Sequence, residues 1–268
     1  VTQPALSRFV SHDVTLLADV SRPGGVTFAF TERTGGVSSA PYASLNLGGA
    51  CGDDPAHVLE NRRRALVALG AGACADRLVM PNQVHGDTIL AIGSSTAAAL
   101  ADVRSRADRG ADGIVCTASD VPVMLCFADC VPVVLVAPGA FAVVHSGWRG
   151  TIARISGKAL GILCDEASCA PSDVMAYVGP HVTGDSYDVS PELLARFEGE
   201  FGRMVRVGER GLDLAAAIVA TLTSLGASPD HIVDPNLSTV GDVARFYSYR
   251  AEGGTCGRHG AMAFLPSA

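Results

Sequence analysis

Between residues 113 and 144 apolar side chains occupy most positions, in four runs at 113–116, 121–127, 131–136 and 141–144 separated by Asp, Pro and Gly. Short runs that are apolar at successive positions predict strands buried on both faces. Residues 26–30 and 88–92 also have strand composition, and Gly35-Gly36 supplies a turn after the first of them. Elsewhere a helical spacing takes over. Asp54 and Pro55 open a helix whose Val58, Ala65, Leu66 and Leu69 share one face until Gly70 stops it. Thr151 caps a second helix presenting Ile152, Ile155, Ala159 and Leu163, Ser190-Pro191 opens a third, and Asp213 opens a fourth running to about Leu225. Residues 94–110 have weak periodicity and read as a surface helix or loop, while 244–249 and 261–265 read as two final strands joined by a Gly-rich turn. No internal repeat or low-complexity linker interrupts the chain.

With 268 residues and 48% apolar content there is material for a sizeable core, and the reading is one domain over residues 1–268. The formal net charge of -7 argues against a nucleic-acid partner while leaving room for a local anion pocket. The most apolar stretch, 121–148, is broken by Pro122, Asp129, Pro132 and Pro138, unlike the ~20 uninterrupted apolar residues of a membrane helix. Eight cysteines form no Cys-x-x-Cys pair, which makes a structural zinc module or a disulfide scaffold a poor fit. Val1-Thr2-Gln3-Pro4 shows no basic flank followed by an apolar segment, so the expected compartment is the reducing cytoplasm. The expected state is a monomer or weak homo-oligomer.

The chemistry gathers where apolar runs end. His85 sits in Asn82-Gln-Val-His-Gly86, Asp129 and Cys130 break two apolar runs, and His145 closes a third ahead of Gly147, Trp148 and Arg149. Alone, His85 reads as a surface histidine and Cys130 as a small buried hydrophobe. A carboxylate beside that thiol shifts the balance, because an unpaired charge does not belong in a core. Two imidazoles and a thiolate are a donor set for zinc or copper, and three protein ligands leave a fourth tetrahedral position open to water, as in catalytic sites. Arg149 is either a surface ion-pair partner or an anion ligand beside the helix expected at Thr151. Trp148, the only tryptophan, either stacks on a planar base or packs. These residues point to a metal site or a cysteine-histidine site beside an anion-tolerant turn, and name no substrate.

Nine motifs in order carry a resemblance: Arg33-x-Gly-Gly-Val-Ser38, Ser44-Leu-Asn-Leu-Gly48, Asn61-Arg62, Asn82-Gln-Val-His-Gly86, Ala111-Asp-Gly113, Ala128-Asp-Cys-x-Pro132, His145-x-Gly-Trp-Arg-Gly150, Gly179-Pro180 and Phe246-Tyr-Ser-Tyr-Arg250. Together they resemble the YfiH/LACC1 family, also called the multicopper polyphenol oxidoreductase or laccase domain family, from about residue 25 to the C-terminus. The resemblance implies an α/β (α+β) fold, a four-layer α/β/β/α sandwich. It also implies phosphorolysis of adenosine, inosine, guanosine or methylthioadenosine to base and (methylthio)ribose 1-phosphate, together with deamination of adenosine. Carried over by motif, His85, Cys130 and His145 would be zinc ligands, and Arg33, Asn46 and Arg149 would bind phosphate or nucleoside. Cys130, His145, Asp129 and Arg149 form the expected catalytic set, with Asp129 shuttling a proton during deamination. The chain departs from the family pattern at Ser146, at Ser238-Thr239 and at Cys256, leaving the C-terminal segment without an assigned role.

Three other readings compete. A cysteine hydrolase or deamidase would use Cys130 as nucleophile and His145 as base, by analogy with toxins of the same architecture. A copper polyphenol oxidase would need more histidines than the seven present. A binding domain folded around a metal would close the fourth position with His181 or His259.

Overall fold

The computed structural model describes residues 3–267; Val1 and Thr2, on which the reading of the N-terminal segment partly rests, lie outside the described residues. In chain order the elements are β1 (Ser7–Ser11), β2 (Val14–Ala18), β3 (Thr27–Thr31), α1 (Pro55–Leu69), β4 (Ile89–Ile92), α2 (Ala97–Asp108), β5 (Gly113–Cys116) and β6 (Val123–Phe127). There follow β7 (Val131–Ala137), β8 (Ala140–Ser146), α3 (Trp148–Ile152), α4 (Ile155–Ala167), β9 (Met175–Val178), α5 (Pro191–Phe201), β10 (Arg206–Val207), β11 (Gly211–Leu212), α6 (Leu214–Ser224), β12 (Ile232–Val233) and β13 (His259–Phe264). One sheet runs β1-β2-β3-β13-β6, and a second, mixed sheet runs β12-β9-β7-β8-β5-β4.

The unbroken apolar runs are explained by what covers each face. In β7, Val134 and Val136 point into a core shared with Phe28, Leu125 and Ala261 of the first sheet. The intervening Val133, Leu135 and Ala137 meet Leu160 and Leu163 of α4 and Ile218 of α6. Strand β8 divides the same way, with Phe141 and Val143 on one face and Ala142 and Val144 on the other. The far face of the first sheet, through Leu16, Met124 and Met262, is covered by Ala65 and Leu66 of α1. The layers are therefore helix, sheet, sheet, helix, the four-layer α/β arrangement expected.

Local signals acted where they were read in several places. Asp54 accepts from Ala56 N–H at 2.8 Å to start α1, Gly70 ends it at φ 89°, and Asp213 accepts from Ala216 N–H at 2.9 Å to start α6. Residues 94–110 resolve into α2, capped by Thr96.

Other expectations are corrected. The helix expected from Thr151 is two helices. Gly147 is the N-cap of α3, the Thr151 hydroxyl lies inside it and donates to Gly147 O at 3.0 Å, and Arg154 at φ 57° breaks the chain before α4. Residues 244–249 are a turn, not a strand: Arg245 and Phe246 N–H both bond Asp242 O, and the apolar Phe246 plugs the end of the inter-sheet core. Strands β1 and β2 form a hairpin the hydrophobic pattern did not announce. His12 and Asp13 sit at φ 48° and 66°, the left-handed pair a two-residue turn requires. That hairpin is tied down by buried Glu32, which accepts from Arg8 at 2.7 and 2.9 Å and from Arg245 at 2.8 Å. No helix among the described residues is long and apolar enough to cross a membrane.

Candidate active site

Sheet register sets the site. Pro132 pairs with His145 and Val131 with Ser146, so Cys130, in the turn before β7, lies opposite Gly147, just after β8. Asp112 immediately precedes β5, whose Gly113 pairs with Val144 of β8, bringing its carboxylate beside His145. His145 Nδ1 and Asp112 Oδ1 are 2.7 Å apart. That contact commits Nδ1, leaving Nε2 to face the rest of the cluster. Across the sandwich, the His145 ring packs on Phe127 of β6 at 5.4 Å.

His85 arrives from a loop. It adopts φ 58°, and the N–H groups of Val84, His85 and Gly86 all point at the Asp112 carboxylate, at 3.3, 3.0 and 2.7 Å. The rings of His85 and His145 stand edge-to-face with centroids 4.8 Å apart. One donor atom from each of His85, Cys130 and His145 lies within 4.8 Å of the others. An added Cβ at Gly147 would stand 3.1 Å from Cys130 Sγ and 3.2 Å from His85 Cδ2, so the missing side chain leaves space that the cluster uses.

The electrostatics separate Cys130 from the buried structural thiols. Burial pushes the Cys130 thiol up, but the charge and hydrogen bonding of His145, and then of His85, outweigh it and draw the thiol down to about 6. Burial likewise opposes charge on His145, yet Cys130 and Asp112 raise it above the ordinary imidazole value. By contrast, burial takes Cys116 to about 12 and Cys126 to about 11. Two imidazole nitrogens and an easily ionised thiol, with one histidine oriented by a carboxylate, fit the donor preferences of zinc.

A cleft of about 60 Å³ opens on the cluster, its walls including Asp129, Val182, Tyr187, Trp148 and Arg149. Asp129, at φ 88°, accepts from Thr239 Oγ1 at 2.6 Å and from Arg250 N–H at 2.7 Å. Those two bonds tie the C-terminal segment against the cleft. The Arg250 guanidinium rests 4.9 Å from the Tyr187 ring, and that of exposed Arg149 rests 4.4 Å from the Trp148 ring. Trp148 itself packs against the helical core, so its indole serves packing and carries an arginine on one face. Because α3 begins at Trp148 with Gly147 as its N-cap, Arg149 does sit at a helix start, in the first turn of this five-residue helix and not ahead of one beginning at Thr151.

The structure thus gathers His85, Asp129, Cys130, His145 and Arg149, and does not bring Arg33 or Asn46 to this cleft. Asn46 is fully buried, donating to Asp53 Oδ2 at 2.9 Å and accepting from Gly48 and Arg258 N–H at 3.0 and 2.8 Å. Arg33 donates to Ala43 O, Val243 O and Glu252 at 3.0, 2.8 and 3.0 Å, with its guanidinium over Tyr247. Both pin the 33–53 loop to the C-terminal segment. His181 and His259 stay outside the three-donor group. His181 Nδ1 pairs with Gly179 O at 2.8 Å, and His259 lies between Phe127 and Phe246, where burial pushes it down to about 3 and keeps it neutral. The fourth ligand expected of a metal-stabilised binding domain is therefore not supplied by either. A larger groove, about 640 Å³, lies at the other end of β13 beside Arg77 and Asp120 and contains none of these residues.

Residue-by-residue reading overlooked Asp112, Tyr187, Thr239 and Arg250. Asp112 had a signal, a carboxylate directly before a wholly apolar strand. Tyr187 and Thr239 had none, because contacts across 57 and 110 residues made them relevant; the latter is the Thr239–Asp129 bond.

A family model described as multi-copper polyphenol oxidoreductase laccase matches residues 27–266. A purine nucleoside phosphorylase of Deinococcus radiodurans is 36% identical over 246 residues, covering 90% of each chain. Purine nucleoside phosphorylase YlmD of Geobacillus stearothermophilus is 33% identical over 250 residues, again covering 90% of each. The crystal structure of YlmD superposes with a TM-score of 0.85 over 98% of this chain and 100% of that one, at 30% identity. A Bacillus licheniformis hypothetical protein, YfiH, superposes at 0.83 over 93% and 96%, with 26% identity.

Proposed function

Because the chain belongs to the multi-copper polyphenol oxidoreductase laccase family, and relatives sharing 33–36% of its residues are named purine nucleoside phosphorylases, we propose that it is a zinc-dependent purine nucleoside phosphorylase. The observation that carries the proposal is the convergence of His85, Cys130 and His145 on a cleft that also receives Arg149. The substrates are adenosine, inosine, guanosine or methylthioadenosine with orthophosphate. At about 60 Å³ the cleft is smaller than a nucleoside and open on one side, so it holds the reacting centre and leaves most of the base outside, which suits several purines.

In phosphorolysis a phosphate oxygen attacks C1′, the C1′–N9 bond breaks with its electron pair going to the base, and the base takes up a proton. Arg149 and Arg250, flanking the cleft, hold the phosphate and offset its charge as it approaches the sugar. Trp148 and Tyr187 hold those guanidiniums in place. His85, Cys130 and His145 would hold zinc, which when bound supplies a Lewis acid beside the reacting centre. Asp129 is fixed by Thr239 and Arg250, and its carboxylate keeps lone pairs for a proton in transit. Deamination of adenosine belongs to the same proposal: a water oxygen bonds to C6, the C6–N6 bond breaks, and Asp129 carries a proton from that water to the departing ammonia. Arg33 and Asn46 act on the substrate only indirectly, by holding the scaffold.

One observation favours a second reading. Cys130, His145 and Asp112 stand in the order of a nucleophile, a base and its orienting carboxylate, which a cysteine hydrolase would use without metal. His85 has no part in that mechanism. Product analysis by mass spectrometry of zinc-quantified protein with adenosine and inosine, with and without phosphate, tests the proposal. Base appearing only with phosphate, and inosine appearing from adenosine without it, are the expected results. A folded, zinc-loaded chain yielding neither product would overturn the nucleoside reading.

A further inference from the structure

Asp112 is the most completely engaged carboxylate near the cluster, and every group it engages belongs to a histidine or to the turn carrying one. It is fully buried. Oδ1 meets His145 Nδ1 at 2.7 Å and His85 N–H at 3.0 Å, while Oδ2 meets Gly86 N–H at 2.7 Å and Val84 N–H at 3.3 Å. Four partners fill the roughly four lone-pair sites of a carboxylate. The main chain is engaged as well, since His145 N–H donates to Asp112 O at 2.7 Å and Asp112 N–H to Thr88 O at 2.9 Å.

The two halves of this arrangement do different things. On one side, an acceptor-only group at Nδ1 requires that nitrogen to carry hydrogen, which frees the Nε2 lone pair toward Cys130. On the other, successive N–H groups around a residue at positive φ form a nest for an anion, and here the anion is a side chain of the same protein. The left-handed conformation of His85, unfavourable by ~1–2 kcal/mol for a residue with a Cβ, is offset by the three N–H bonds it enables.

We propose that Asp112 is the positioning residue of the metal centre: one buried carboxylate fixes the tautomer of His145 and, through the 84–86 nest, the placement of His85, so both histidine ligands depend on it. The inference rests on the reading of His85, Cys130 and His145 as metal ligands. Asp112→Asn isolates the role because it preserves shape and removes one acceptor. If the new amide nitrogen faces the nest, donors oppose donors and His85 is displaced. If it faces Nδ1, it donates there and stabilises the hydrogen on Nε2, the nitrogen that has to ligate. Either orientation spoils one histidine.

Zinc affinity measured by competition with a chromophoric chelator should fall ~10–100-fold in Asp112→Asn. The cobalt-substituted protein should lose intensity in its thiolate charge-transfer and d–d bands. A carboxylate that only supported the fold would lower the melting temperature of the metal-free chain and leave both readouts at wild-type values. Nitrogen-15 NMR of the histidine rings in the zinc-loaded wild-type protein adds a measurement that needs no variant, and should find hydrogen on Nδ1 and none on Nε2 of His145. Wild-type affinity and spectra in folded Asp112→Asn, or hydrogen on Nε2 in place of Nδ1 of His145 in the zinc-loaded wild type, would overturn the inference. If the wild-type chain takes up no zinc, the metal reading itself fails and this inference falls with it, an outcome distinct from a wild-type protein that binds zinc and an Asp112→Asn variant that binds it equally well.

Discussion

Gly147→Ala is a perturbation confined to the cluster. Gly147 has φ -76° and ψ 174°, which any residue adopts, so alanine introduces no backbone strain. As the N-cap of α3 it loses some capping preference, worth up to ~1 kcal/mol, or roughly 2–4 °C in melting temperature for a chain of this size. The new Cβ, however, would stand 3.1 Å from Cys130 Sγ and 3.2 Å from His85 Cδ2. Comfortable separations are ~3.5–4.0 Å, so both neighbours have to withdraw by a few tenths of an ångström. Neither is free to do so, since Cys130 is fixed by the start of β7 and His85 by the Asp112 nest. Functional geometry tolerates ~0.5 Å, and ~1 Å of misplacement costs about 100-fold. The expected result is therefore a fall of about 10-fold or more in zinc affinity and in kcat/KM for phosphorolysis, in a protein whose melting temperature changes little. Chelator competition, steady-state kinetics and thermal unfolding on the same preparation measure all three. A Gly147→Ala protein with wild-type zinc affinity and wild-type turnover would refute the claim that this gap is part of the site.

Three further predictions use other parts of the structure. Trp148 is the only tryptophan and carries the Arg149 guanidinium, so phosphate should shift its fluorescence; Arg149→Ala should abolish the shift and raise KM for phosphate about 10–100-fold, the worth of a charged hydrogen bond, whereas an unchanged KM would remove Arg149 from the phosphate site. In metal-free protein at neutral pH, iodoacetamide should modify Cys130 well before Cys116 or Cys126, and zinc should protect it; peptide mapping that found Cys116 or Cys126 modified first would contradict the electrostatic picture. Burial pushes Glu32 up, but hydrogen bonds from Arg8 and Arg245 outweigh it and hold the folded-state value below the ordinary 4.5. Its contribution is thus complete above pH 4.5 and lost as pH falls through the lowered value, so Glu32→Gln should cost ~2 kcal/mol at neutral pH and progressively less below pH 4.5; a gap in melting temperature between variant and wild type that does not narrow on acidification would count against it.

The sheet core was legible because burial on both faces leaves an unmistakable mark: β7 and β8 are apolar at consecutive positions since alternate residues enter different cores. Helices α1, α5 and α6 announced themselves through Asp54, Ser190 and Asp213. The β1–β2 hairpin did not, because β1 is an exposed edge strand without a consistent buried face and its turn uses His12-Asp13 in place of Asn-Gly. The segment 244–249 misled in the opposite sense, since Phe246 is buried without being in a strand. At the site, His85, Cys130 and His145 could be named because metal chemistry restricts residue type. Asp112 touches His145 and the turn that carries His85, and Arg250 is held beside the cleft by the bond from its backbone N–H to Asp129, contacts that no local pattern announces. Asn46, in a distinctive motif, has its side chain occupied by Asp53 and Gly48 of its own loop and by Arg258 of the C-terminal segment, partners that only the fold brings together.

The most direct test of the central claim is phosphorus-31 NMR of inosine and phosphate incubated with protein of known zinc content, comparing wild type, the chelator-stripped form, the same sample after zinc is restored, and Cys130→Ser. The account predicts ribose 1-phosphate in equal amount to hypoxanthine, formed in proportion to bound zinc, lost on stripping, recovered on restoration and absent from the variant. Ribose 1-phosphate formed at the wild-type rate by stripped protein or by Cys130→Ser, or none formed by folded, zinc-loaded wild type, would contradict it.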